Sequence, residues 1–114
     1  MTTIYKISGT AQWSEAERDG EFRGSAVDLA DGYIHFSTAA QLAETAAKHF
    51  AGMSDLVLVA VGAEGLGGAL KWEPSRGGAL FPHLYGALPL RTVHWVRPLP
   101  IDDDGTHIFP PLEP

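Results

Sequence analysis

Two histidines, His35 in the stretch YIHFST and His83 in PHLYG, are the residues of this chain best suited to chemistry. Imidazole is the side chain whose ordinary pKa lies nearest neutrality, so such a pair can exchange protons, ligate a metal or hydrogen-bond a ligand. Either histidine alone has a commoner use, tying down a backbone carbonyl. Neither belongs to a His-x-His or His-x-x-x-His spacing, so no metal site is written locally. Each lies in a short apolar stretch flanked by polar or turn residues, which would place it at the mouth of a cleft.

The segment from Trp72 to Gly86, WEPSRGGALFPHLYG, surrounds His83 with further candidates. Glu73 could orient a histidine, hold a ribose hydroxyl or pair with Arg76, and the last is the simplest. Ser75, Arg76, Gly77 and Gly78 could cradle an anion, since consecutive glycines admit a ligand to backbone amides and arginine offers a planar fork. They serve equally well as a tight turn with a solvated arginine. No P-loop is present, because Ala-Leu-Phe-Pro follows where a helix opening on Lys-Ser or Lys-Thr would be needed. Tyr85 and His83 would give polar contact while Trp72, Phe81 and Leu84 anchor the segment to the core. Ser37 and Thr38 stand beside His35, although capping the next helix also accounts for their types. There is no cysteine and no Gly-x-Ser-x-Gly elbow, which disfavours nucleophilic catalysis. A metal, if used, would need His35, His83 and Glu73 together.

A chain of 114 residues with 45% hydrophobic content is one domain able to bury a core without staples. Its formal charge of −6 is the opposite of the basic footprint that phosphate backbones reward, which argues against nucleic-acid partners. The run Asp102-Asp103-Asp104 reads as a solvated turn, with a cation site as the rarer alternative. The opening residues show neither a basic nor an apolar leader region, and no stretch approaches the roughly 18 apolar residues of a membrane span. A soluble, cytoplasmic protein is expected, with a small-molecule ligand as its partner.

Several elements must position these side chains. Thr3 to Ile7 reads as a strand, and residues 12–28 as a loop with one helical turn. Asp31-Gly32 marks a turn before a short strand, Tyr33 to Phe36, whose alternation puts Ile34 and Phe36 on one face and Tyr33 and His35 on the other. A helix over about 38–51 follows, opened by a capping box between Thr38 and Gln41 and carrying Ala39, Leu42, Ala43, Ala46 and Phe50 as its buried stripe. The apolar run 55–61, DLVLVAV, reads as a central strand. Short strands are expected at 70–73, stopped by Pro74, then at 81–85 and at 93–96. Residues 100–114 form a Pro-rich strap. Strands and one strong helix sharing a core make an α+β fold.

Taken together, IYKI, GSAVD, DGYIHFSTAAQLAETAAKHF, DLVLVAV, LKWEPSRGGALFPHLYG and VHWVRPL resemble domain-of-unknown-function family 952, a family of small bacterial proteins. The likeness runs from Ile4 to about Leu99, and DGYIHFST and WEPSRGGALFPHLYG are its most specific parts. It implies a fold similar to that of ADP-ribosyltransferases, which split NAD in the cleft of a small domain with two packed sheets. In that comparison His35 stands where a nicotinamide-stacking tyrosine would be. His83 falls at or near the catalytic glutamate, with Glu73 the nearest carboxylate upstream. The ribose-gripping residue of the first strand has no equivalent beyond Tyr5 and Lys6. The resemblance therefore implies a cleft for NAD or a related nucleotide. Three uses stay open at this point: such a cleft, a noncatalytic module for a small anionic metabolite, and a His/Glu metal enzyme.

Overall fold

The apolar run ending at Val61 becomes β4 (Leu56–Gly62), the middle strand of a three-stranded antiparallel sheet between β1 (Thr3–Gly9) and β8 (Val93–Pro98). The computed structural model describes residues 2–113, and of Arg76 the backbone alone. Because β4 is covered on both faces, its side chains divide between two cores by the period of two that a strand imposes. Ile4, Val59 and Val61 meet Trp13, Phe22, Ile34, Leu84 and Leu88 on one side. Tyr5, Ile7, Leu58 and Ala60 meet Leu42, Ala46 and Leu99 on the other.

A second three-stranded sheet joins β3 (Ile34–His35), β6 (Ala79–Leu84) and β5 (Leu70–Ser75) in that order, all antiparallel. Reciprocal backbone bonds between Tyr5 and Ser37, 2.8 and 2.9 Å, stitch it to β1. Pro74 does not stop β5 as expected but pairs with Leu80 inside it. The strand lies at the sheet edge, where a residue without an N–H costs no ladder bond. The Ser-Arg-Gly-Gly stretch is the turn of the β5–β6 hairpin, and Gly77 and Gly78 take the left-handed φ values of 70° and 86° that favour glycine.

Residues 12–28, expected as a loop, instead contain most of α1 (Thr10–Asp19), all of β2 (Glu21–Phe22) and the start of α2 (Ala26–Asp31). Strand β2 pairs with β7 (Leu88–Pro89). In α1 only Trp13 and Ala16 are buried, too few apolar positions to declare a helical period. In α2 the usual pattern is inverted, with Val27 and Leu29 exposed and Asp28 buried. The expected helix 38–51 is a 3-10 turn over Ala39–Gln41 followed by α3 (Leu42–His49). Gln41 Oε1 does accept the Thr38 N–H at 3.0 Å. Leu42 and Ala46 are buried, whereas Ala43 faces solvent. The tighter opening turn, about 3.0 residues per turn instead of 3.6, rotates the stripe away from Ala43.

Beyond β8 the chain runs extended across the second core, with Phe109 and Leu112 packed against it and the Tyr5 hydroxyl 2.8 Å from the Glu113 carbonyl. The Asp102 carboxylate accepts the N–H groups of Asp104 and Thr106, so this part of the acidic run closes a turn. Among the described residues no helix is long and apolar enough to cross a membrane. Leu58 is fully buried on the middle strand, and Leu58→Ala should cost about 2–5 kcal/mol of unfolding free energy, read by urea denaturation.

Candidate functional site

Ile34 and Phe36 go into the core, so the residues alternating with them, Tyr33 and His35, must face the other side of the second sheet. The register then does the rest. His35 lies directly opposite His83, and His83 opposite Lys71, which puts Tyr33, His35, Lys71, Glu73, His83 and Tyr85 on one face. The two imidazole centroids are 5.6 Å apart, edge to face. Tyr33 lies over both, 4.1 Å from His83 in a stacked arrangement and 4.6 Å from His35 in a tilted one. Its ring also meets that of Tyr85 at 5.2 Å. Beneath Tyr33, His83 is only 4% exposed, while the His35 side chain is 34% exposed.

Each imidazole is anchored through Nδ1 by its own carboxylate. Glu73 Oε1 lies 2.8 Å from His83 Nδ1 and accepts the Tyr85 hydroxyl at 2.8 Å. Those two bonds, His83 first, hold the Glu73 carboxyl below its ordinary pKa, and the same carboxylate pushes the Tyr85 hydroxyl up. Asp28 Oδ1 lies 2.6 Å from His35 Nδ1 and also accepts the His35 backbone N–H at 3.1 Å. The outward nitrogen of His35, Nε2, meets Asp31 Oδ2 at 3.0 Å.

Asp28 is the hub of this arrangement. Beyond His35 it receives the Ser25 N–H at 2.8 Å and Lys6 Nζ at 2.8 and 3.0 Å, and it is 2% exposed. Ser25 returns the contact, accepting the Asp28 N–H at 3.3 Å, so the carboxylate is also half of the capping box that opens α2. Gly24 lets the two segments close up, because a Cβ there would stand 2.8 Å from Asp28 Cβ. Burial pushes the Asp28 carboxyl up, but the His35 hydrogen bond and the Lys6 charge outweigh it and hold it well below the usual carboxylate range. Lys6 is pulled down by burial against the opposing charge of Asp28. This lysine occupies a core-facing position of β1, opposite Val59, and is consumed by Asp28.

The other candidates are dispersed. Ser37 is buried with its hydroxyl 2.9 Å from Thr45, and Thr38 opens the helix. Trp72 points to the opposite side of β5 from Glu73 and is 40% exposed, so it does not anchor the segment as expected. It lines a separate hollow of about 270 Å³ with Thr2, Ala63, Glu64 and Leu70. Ser75, Gly77 and Gly78 sit at the hairpin tip, about 13 Å along the strand from His83 by the rise per residue. The side chain of Arg76 lies outside the described part of the structure. A cleft of about 210 Å³ opens beside Tyr33, lined also by Arg23, Asp28, Leu29, Leu84 and Gly86. The imidazoles lie behind Tyr33 and not on its wall.

Sequence reasoning missed Asp28, Asp31 and Lys6 as members of this face and left Tyr33 without a role. Ser25-x-x-Asp28 has the form of a capping box, which was the available signal for Asp28. Nothing local marks Lys6.

A family model described as "Protein of unknown function (DUF952)" matches residues 7–96. The chain belongs to this family. The crystal structure of protein CC0527 from Caulobacter crescentus is 55% identical, aligned over 94% of each chain with a TM-score of 0.91. The solution NMR structure of CC0527 is 57% identical over 93% of this chain and 91% of that one, with a TM-score of 0.83. No curated protein matches the sequence.

For this DUF952 chain the metal reading finds no support among the described residues, where no group of three His, Cys, Asp or Glu side chains could hold a metal ion. The buried pair instead makes a thermodynamic prediction. Asp28→Asn leaves Lys6 charged and unpaired and should cost about 3–5 kcal/mol at pH 7. The folded carboxyl titrates below its unfolded value of about 3.9, so the stabilisation is complete above that pH and is lost as pH falls below it. Urea unfolding of wild type and Asp28→Asn should therefore differ in full above about pH 4 and draw progressively together as the pH is lowered below it.

Proposed function

We propose that the His35–His83 face binds NAD or a related nucleotide in a cleft of the ADP-ribosyltransferase kind. One observation carries the reading: two imidazoles distant in sequence meet as cross-strand neighbours, 5.6 Å apart, under a tyrosine ring. Anchored Nδ1 atoms fix both ring orientations, so the Tyr33 ring above them and the outward edge of His35 are held in a defined geometry, which is what recognition of a small polar ligand requires. Tyr33 and Tyr85 supply aromatic faces for a planar base or nicotinamide ring. The reading is further supported by the place of His35, on a short strand just before the Tyr5–Ser37 bridge that joins the two three-stranded sheets.

Roles follow from position. His35 is the imidazole open to the ligand, while His83, held by Glu73, lies beneath Tyr33 and supports that ring, and Tyr85 closes that side. The reading extends to binding and stops short of transfer. A transferase needs a carboxylate aimed at the cationic ribose, and Glu73 is already engaged by His83 and Tyr85. The anionic-module alternative is weaker, because the Gly77–Gly78 turn stands at the far end of the hairpin.

Binding to the folded state alone raises stability by about 1.4 kcal/mol at a ligand concentration ten times Kd. At 1 mM NAD or ADP-ribose the melting temperature should rise by several degrees, about 5 °C for a domain of this size. His83→Ala and Tyr33→Ala should lose the rise. Absence of any shift with both ligands in wild type would reject the reading.

A further inference from the structure

His35 stands between two unequal carboxylates. Asp28 holds Nδ1 at 2.6 Å and is buried and fixed by Lys6, by the Ser25 N–H and by the His35 N–H itself. Asp31 holds Nε2 at 3.0 Å, its side chain is 48% exposed, and it makes no other hydrogen bond or ion pair among the described residues. Asp31 is also the last residue of α2, where the helix dipole disfavours a negative charge. The helix gains nothing from a carboxylate there. What Asp31 does instead is place Oδ2 3.0 Å from the outward nitrogen of His35.

We infer that the outward nitrogen of His35 is an oxyanion-binding position of the ligand site, that the Asp31 carboxylate is its built-in stand-in, and that a phosphate oxygen of the nucleotide displaces it. The inference rests on the nucleotide reading and deepens it by naming the ligand group. The displaced Asp31 side chain is half exposed and can turn to solvent, while Asp28 remains matched by Lys6. The exchange leaves the buried half of the arrangement untouched. Asp31 acts as an internal competitor, and a competitor that occupies the position part of the time raises the apparent Kd by the reciprocal of the fraction of time the position is free. A half-exposed pair of this kind corresponds to a penalty of about two- to sixfold.

Calorimetric titration of wild type, Asp31→Asn and Asp31→Ala with ADP-ribose, pyrophosphate and adenosine tests this. Both substitutions lie at an exposed position and should leave the fold intact, verified by an unchanged urea midpoint. The expected result is ADP-ribose and pyrophosphate bound about two- to sixfold more tightly by both variants, with adenosine unaffected. If wild type binds ADP-ribose and neither variant binds it more tightly, the stand-in role is overturned while the nucleotide reading stands. Equal tightening for adenosine would overturn it too, because the effect would then owe nothing to an anionic oxygen. Tightening for pyrophosphate alone would mark a position for free phosphate and not for a nucleotide, which also overturns the inference. Failure of all three proteins to bind either phosphate compound overturns inference and reading together.

Discussion

A charged pair sealed into the protein, Lys6 on β1 against Asp28 on α2, is the constraint on which the candidate site depends. Desolvating an ammonium and a carboxylate is costly, and attraction between them repays that cost only when the remaining lone pairs are also filled. Here the Ser25 N–H, the His35 N–H and the His35 ring fill them. The consequence is positional. Because Asp28 can be satisfied in one place only, it ties the first sheet, the short helix and the His35 strand to a common point. Replacing the pair with apolar residues of like volume could leave stability unaltered. It would leave His35 without an orienting partner.

The second sheet converts that anchor into a site. Short antiparallel strands carry side chains on alternate faces, and the face turned from the core inherits whatever polar residues alternate with the apolar ones. Ile34 and Leu84 form one register pair and His35 and His83 the next. Packing of the first pair therefore forces the second together on the other side. Stability and the candidate site are built from the same two strands, and a slip of one residue would bury both imidazoles in the core and expose the leucine and isoleucine.

Much of the fold was legible. The continuous apolar run at β4, the alternation at YIHF and the Thr38–Gln41 capping pair each express a local rule that the tertiary structure also obeys. Where the reading failed, local and global demands diverged. Helix α1 buries only Trp13 and Ala16 because one narrow stripe suffices against the sheet. Helix α2 turns Asp28 inward and Val27 and Leu29 outward, so periodic counting finds no apolar face. Pro74 looked like a strand terminus, yet an edge strand tolerates it. In each case a partner remote in sequence decided what the residue was for.

By itself the sequence determined the α+β class and the family and singled out the two histidines as candidates, because these rest on residue type, local periodicity and motif. The tertiary structure alone decided that those histidines are neighbours, that Tyr33 covers them, and that Glu73 serves His83 while the glycine turn lies at the far end of its hairpin. Strand register and the burial of Lys6 beside Asp28 set those relations. Both depend on contacts between segments distant along the chain, to which residue type and local spacing are blind.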